Sequence, residues 1–226
     1  MVQNYEFTDS YGKVAKASML CILAQAGIIV YFIHFLIKCF IMDYSILGTF
    51  FVAILFGLVF FIAHLLFCVA LGKIGDYNKG FKYLSIYGTI ACLLPLTGFV
   101  AVVQIFQSDI LMVVAAVIIA ILVISVKPIY YWLMQKEISD RMPGKTLILW
   151  RILFVIGIAV VILCVMAFVC AEYYHAHDYK WKEAHKAFND FLIDGVVFVA
   201  MILYVVRMIF EFICTLITAK RLKETY

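Results

Sequence analysis

The chain has 226 residues, 67% of them hydrophobic and 14% charged, with a net charge of +4 and a mean hydropathy of +1.09. A soluble domain carries about 25% charged residues, so the composition excludes an ordinary water-soluble fold. The basic residues sit at the ends of apolar runs instead of forming a basic domain, which excludes nucleic acid as a partner.

Lipid resolves the surplus of apolar surface. A chain in lipid must pair its backbone polar groups internally, which leaves helices or a closed barrel. A barrel shows short segments of alternating polarity. This sequence shows long unbroken apolar runs, so the expected fold class is an all-α membrane protein. About 20 apolar residues cross the roughly 30 Å hydrocarbon layer, and six segments qualify.

The first predicted span covers 17–42 and is interrupted by His34 and Lys38. Lys13 and Lys16 precede it, and Ala24-Gln25-Ala26 resembles a signal-peptide cleavage box. The apolar run continues past that box to Ile37, so the segment reads as an uncleaved helix. The second span covers 45–71, with His64 as its ionisable residue, and the third covers 83–107, with Pro95 near its centre. A proline there removes a backbone donor and predicts a kink. The fourth span, 110–133, carries Lys127 and Pro128 in its second half; the fifth, 147–170, opens near Arg151; the sixth, 191–219, contains Arg207 and Glu211.

Asp43-Tyr44 and Ser108-Asp109 are very short links, which make sequential helices antiparallel neighbours. The expected architecture is three hairpins in a single transmembrane domain over 1–226. The outer loop, 171–190, lies between the fifth and sixth spans. Glycine–lysine steps recur before the odd spans at Gly12, Gly80 and Gly144. Any chain of positive-inside hairpins gives that pattern, so it is not read as an internal repeat.

Orientation follows from the lysines and arginines. On one side fall Lys13 and Lys16; Lys73, Lys79 and Lys82; Lys127, Lys136, Arg141, Lys145 and Arg151; and Lys220, Arg221 and Lys223. The opposite side holds Lys38, Lys180, Lys182 and Lys186. The excess predicts both termini in the cytoplasm and a multi-pass protein of a bacterial cytoplasmic membrane. Tyr130, Tyr131, Trp132 and Trp150 are expected at one interface, and Tyr44, Tyr173, Tyr174, Tyr179 and Trp181 at the other.

Ionisable groups inside hydrocarbon are costly, and function is sought there first. Arg207 lies twelve residues before Ala219, about 18 Å along a helix, and Glu211 shares its face four residues on. An internal ion pair is the expected arrangement. Lys127 is expected to snorkel to the cytoplasmic surface, Arg151 to anchor at the interface, and His64 to be a hydrogen-bonded packing residue. Gln25 and Gln104 read as interhelical hydrogen-bond groups, and Ala116 and Ala120 as a close-contact step. Convergence of His64, Lys127, Arg207 and Glu211 would make a net-positive, cytoplasm-facing pocket suited to an anionic headgroup or small anion.

In the outer loop, His177, Trp181, His185 and Phe188 share a helical face, which reads as an interfacial helix and not as a metal site of His175, His177, Asp178 and His185. The seven cysteines include no CxxC and read as small buried hydrophobes. No metal and no cofactor are expected. HExxH, GxSxG and Walker sequences are absent, which speaks against an enzyme. The leading expectation is a small-solute or lipid-handling transporter subunit. The alternative is a non-catalytic structural subunit. The bilayer is the expected partner, with a membrane protein or a second copy of the chain beside it.

Overall fold

A computed structural model describes residues 2–41, 46–105, 109–142, 144–175, 183 and 186–225, with side chains described for a subset of them. These residues form six helices and no strand: α1 Val2–Ile41, α2 Ile46–Ile74, α3 Lys79–Ile105, α4 Asp109–Arg141, α5 Lys145–His175 and α6 Lys186–Thr225. Among the described residues, three helices are long and apolar enough to cross a membrane, over Glu6–Val30, Lys145–Ala167 and Phe198–Glu224. A shorter apolar stretch covers Leu58–Ile74 in α2.

The helices exceed several predicted spans. Residues 171–175 continue α5 and residues 186–190 open α6, so both ends of the predicted outer loop are helical. The backbone of α3 is helical through position 95, and α4 runs through Pro128 to Arg141. The Asp43-Tyr44 turn, Ser108, His177, Asp178, Trp181 and His185 lie outside the described residues. So do the side chains of Gln104, Ala116, Ala120 and His175.

The chain divides into two compact units. Unit 1 comprises residues 1–92 and 215–226, and unit 2 comprises residues 93–214. In unit 1, α1 buries Phe7, Tyr11, Val14, Ser18, Cys21 and Gln25. These positions recur every three or four residues and form one stripe of a 3.6-period helix. They pack on α2, which buries His64, Phe67, Cys68, Leu71 and Ile74. The Cys21 thiol donates to the Ala63 carbonyl at 3.0 Å and ties α1 to α2.

The α2–α3 turn is fixed locally. Asn78 Oδ1 accepts from the Gly80 amide at 2.8 Å, as an N-cap does for the orphan donors of a first turn. Tyr77 Oη donates to Glu6 Oε2 at 3.4 Å. Partial burial and the Glu6 carboxylate hold that phenol above its ordinary range.

In unit 2 the stripes repeat. The α4 helix buries Lys127, Tyr130, Tyr131, Met134 and Ile138; α5 buries Thr146, Trp150, Leu153 and Val160; α6 buries Ala200, Arg207, Glu211 and Cys214. Tyr130 meets Trp150 edge-on at 5.6 Å between ring centroids, and Tyr131 meets the same indole at 6.1 Å. Tyr130, Tyr131 and Trp150 are fully buried, whereas Trp132 is exposed. Three of the four aromatic residues of this expected group are core residues. They sit on the inward stripe of α4 or α5, and Trp132 lies off it.

Polarity is inverted relative to a soluble fold. Leu23, Val30, Val155 and Phe198 are each about two-thirds exposed, while Arg207, Glu211, Lys127 and His64 are buried. Exposed apolar surface on this scale suits a lipid solvent.

Two glycines serve the geometry of unit 2. Gly144, with φ of 116°, opens the α4–α5 turn in a conformation that side chains resist. Gly157 lets α5 approach α4: a Cβ there would lie 3.1 Å from the Tyr131 ring and 3.4 Å from Pro128 Cγ. Gly157→Val is expected to cost about 1–3 kcal/mol by overpacking and to lower the thermal midpoint in detergent. Gly12→Ala, where an added Cβ meets nothing within 4 Å, is expected to leave the midpoint unchanged or raise it slightly.

Candidate functional site

The strongest concentration of polar chemistry lies in unit 2, between α4 and α6. Lys127 and Tyr131 are four residues apart on α4 and so project from one face. Both reach the same carboxylate on α6. Lys127 Nζ donates to Glu211 Oε1 at 2.5 Å, and Tyr131 Oη donates to Glu211 Oε2 at 2.5 Å. The Lys127 and Glu211 side chains are 3% and 0% exposed. An ion pair this deep survives because each charge is met by a counter-charge and by further hydrogen bonds.

Arg207 completes the group from the preceding turn of α6. Its guanidinium carbon lies 4.5 Å from the centroid of the Tyr204 ring, a cation–π distance. Arg207 and Glu211 are four residues apart and so lie on one face of α6. On the other side, Lys127 Nζ lies 5.9 Å from the Tyr130 centroid. Lys127 thus pairs with the Glu211 carboxylate, and Arg207 lies one helical turn before it against Tyr204.

The structure therefore joins Lys127, Glu211 and Arg207. The snorkelling expected of Lys127 is corrected: its ammonium turns inward, because Glu211 offers a full counter-charge within the length of the side chain. Tyr131 is read from the sequence only as an interfacial aromatic, and Tyr204 is not singled out. Their signal was present in the helix spacing, with Tyr131 four residues after Lys127 and Tyr204 three before Arg207.

His64 lies in unit 1. It packs between Phe60 and Phe67, with ring centroids at 5.7 and 6.1 Å. Neither ring nitrogen has a hydrogen-bond partner, which corrects the expectation of a hydrogen-bonded packing residue. Its neighbours are Cys68, one turn on along α2, and Cys92 of α3. The ligating atoms of all three lie within 4.8 Å of one another, and all three residues are buried. Imidazole and thiol groups are ligands for thiophilic metals. The sequence shows His64 and Cys68 at helical spacing, a step not singled out above, where the cysteines are read as small buried hydrophobes.

On the outer side of α4 and α5, an apolar groove lined by Pro128, Ile129, Phe154 and Ile158 reaches Trp132. Trp132 also borders a polar groove containing Gln135, Lys136, Asp140 and Arg151. Arg151 is exposed there, as an interfacial anchor requires.

Removing one partner of a buried pair leaves an uncompensated charge. Glu211→Gln is expected to destabilise the protein by about 3–5 kcal/mol, whereas the double variant Lys127→Met with Glu211→Gln recovers part of that loss, because it also removes the Lys127 charge and leaves only Arg207 uncompensated. Reversible unfolding in detergent measures both. Equal losses in the single and double variants would show that the pair contributes through packing alone.

Comparison with protein-family models, with curated proteins and with solved structures finds no match to this chain.

Proposed function

We propose that this chain is a six-span protein of a bacterial cytoplasmic membrane, with both termini in the cytoplasm, that handles a small anion or an anionic lipid headgroup as part of a transport system. One observation carries the reading: Lys127 and Arg207 are both buried, Lys127 on the Glu211 carboxylate and Arg207 one helical turn before it. With all three ionised the group holds one net positive charge, and an anion entering it would complete the neutralisation. The groove running from Pro128 past Trp132 to Lys136 and Arg151 supports the lipid branch, since it sets an apolar channel beside basic groups.

A structural subunit is the second reading. Both oxygens of Glu211 are taken by α4 donors, as a lock between two helices requires.

Ligand-dependent thermal stability separates the two. Wild-type protein and Arg207→Met are heated in detergent with inorganic phosphate, with sulfate, or with added phosphatidylglycerol. The transport reading predicts that one of these raises the wild-type midpoint by about 5 °C at saturating concentration and leaves Arg207→Met unmoved. Phosphate or sulfate alone would identify a free anion, and phosphatidylglycerol alone a headgroup. No shift with any of them supports the helix lock.

Topology has its own check. Green fluorescent protein fused to either terminus is expected to fluoresce in bacterial cells, and alkaline phosphatase at the same positions to be inactive. Active phosphatase at one end would contradict an even number of spans.

A further inference from the structure

The group formed by His64, Cys68 and Cys92 has no part in the charged site of unit 2, and its chemistry is different. It offers one imidazole and two thiols, all buried, from one face of α2 and the adjoining part of α3. A histidine buried to 3% exposure with both ring nitrogens lacking hydrogen-bond partners is expensive to keep. Ordinary packing would replace it with an apolar residue. A ligand that coordinates one of those nitrogens would account for its presence.

We propose that His64, Cys68 and Cys92 form a binding site for a thiophilic d10 metal ion, with Zn(II) as the expected occupant. Distances fit. Ligand atoms 2.0–2.3 Å from a central ion stand about 3.5–4 Å apart in trigonal or tetrahedral geometry. The three ligating groups already lie within 4.8 Å of one another, so closure takes rotamer changes and no movement of whole helices. His64 and Cys68 project from one helix face because they are four residues apart. Cys92 supplies the third ligand from α3.

Charge selects the ion. On coordination the two thiols release their protons and bind as thiolates, while imidazole stays neutral. Zn(II) then gives a complex of zero net charge, which suits a site walled by Phe60 and Phe67. Cu(I) shares the ligand preference but leaves one negative charge. Hard ions such as Mg(II) favour oxygen and water and are not suited to this set. The binding is ligand exchange only, and no electron is transferred.

The test uses the full chain, purified in mild detergent with a thiol-free reductant. Zn(II) is titrated against a chromophoric chelator, and Co(II) is titrated separately for its thiolate charge-transfer bands. The proposal predicts one tightly bound Zn(II) per chain and Co(II) bands of two-thiolate intensity. Loss of a group that only orients a metal ligand already weakens metal sites by about 10–100-fold. Cys68→Ser and Cys92→Ser are therefore each expected to weaken Zn(II) by about 100-fold or more, with His64→Ala also weakened and Cys164→Ser unchanged. Displacement of Zn(II) by Cu(I) would keep the site and change its occupant. Affinity unaltered in both serine variants overturns the proposal. So does wild-type protein that binds no Zn(II), or that shows a Cys68–Cys92 disulfide resistant to reduction. Should the serine variants fail to fold, the Co(II) spectrum of wild type decides, because binding outside this set lacks two-thiolate bands.

Discussion

The buried contact between Lys127 and Glu211 is the interaction on which the rest of unit 2 depends. A charge in hydrocarbon has no water to stabilise it, so its location is dictated by where a counter-charge can be held. Glu211 stands at the centre of that arrangement. One oxygen takes the Lys127 ammonium and the other the Tyr131 hydroxyl. This sets the rotation of α4 and α6, since each must turn its polar residues toward the other. Trp150 then fills the space behind Tyr130 and Tyr131, and Gly157 brings α5 against the Tyr131 ring. The aromatic core and the close approach of α5 are fitted around the ion pair.

The same logic explains why polar and apolar residues exchange their usual places. With lipid outside, leucine and valine gain nothing from burial, and helix association rests on packing and on polar contacts. The inward stripes accordingly carry Ser18, Gln25, His64, Lys127, Thr146, Arg207 and Glu211 beside apolar residues, while many other large aliphatic residues face outward. Each stripe has helical periodicity, so the inner face of each helix is specified by its polar and aromatic residues and much less by hydrophobicity.

That inversion decides what was legible in the sequence. The all-helical class was plain from unbroken apolar runs, because lipid admits few alternatives. The placing of Arg207 and Glu211 within an apolar span was legible in the sequence, and both are buried. The partner of Glu211 was not: Lys127 lies 84 residues away, and one chain read alone shows no pairing between distant helices. Depth also misled. Lys127 is near enough to the predicted end of its span to snorkel, and only the position of Glu211 turns it inward. Tyr130, Tyr131 and Trp150 are expected near a span end, and their helical phase, in step with Lys127 or with Gly157, is what turns them into the core. Cys92 was out of reach for the same reason as Lys127, whereas the four-residue step from His64 to Cys68 was readable.

Among the described residues, two buried polar centres stand out: a charged one built on α4 and α6, and a thiol–imidazole one built on α2 and α3. The account depends most directly on the ionised state of Glu211, because a neutral acid would neither hold Lys127 nor leave the site with a single net positive charge. Infrared spectroscopy of the protein in lipid bilayers, with bands assigned by their loss in Glu211→Gln, reads that state. The account predicts that the substitution removes a carboxylate band and leaves the carbonyl region of protonated acids unchanged. Loss of a protonated-acid band instead would contradict it.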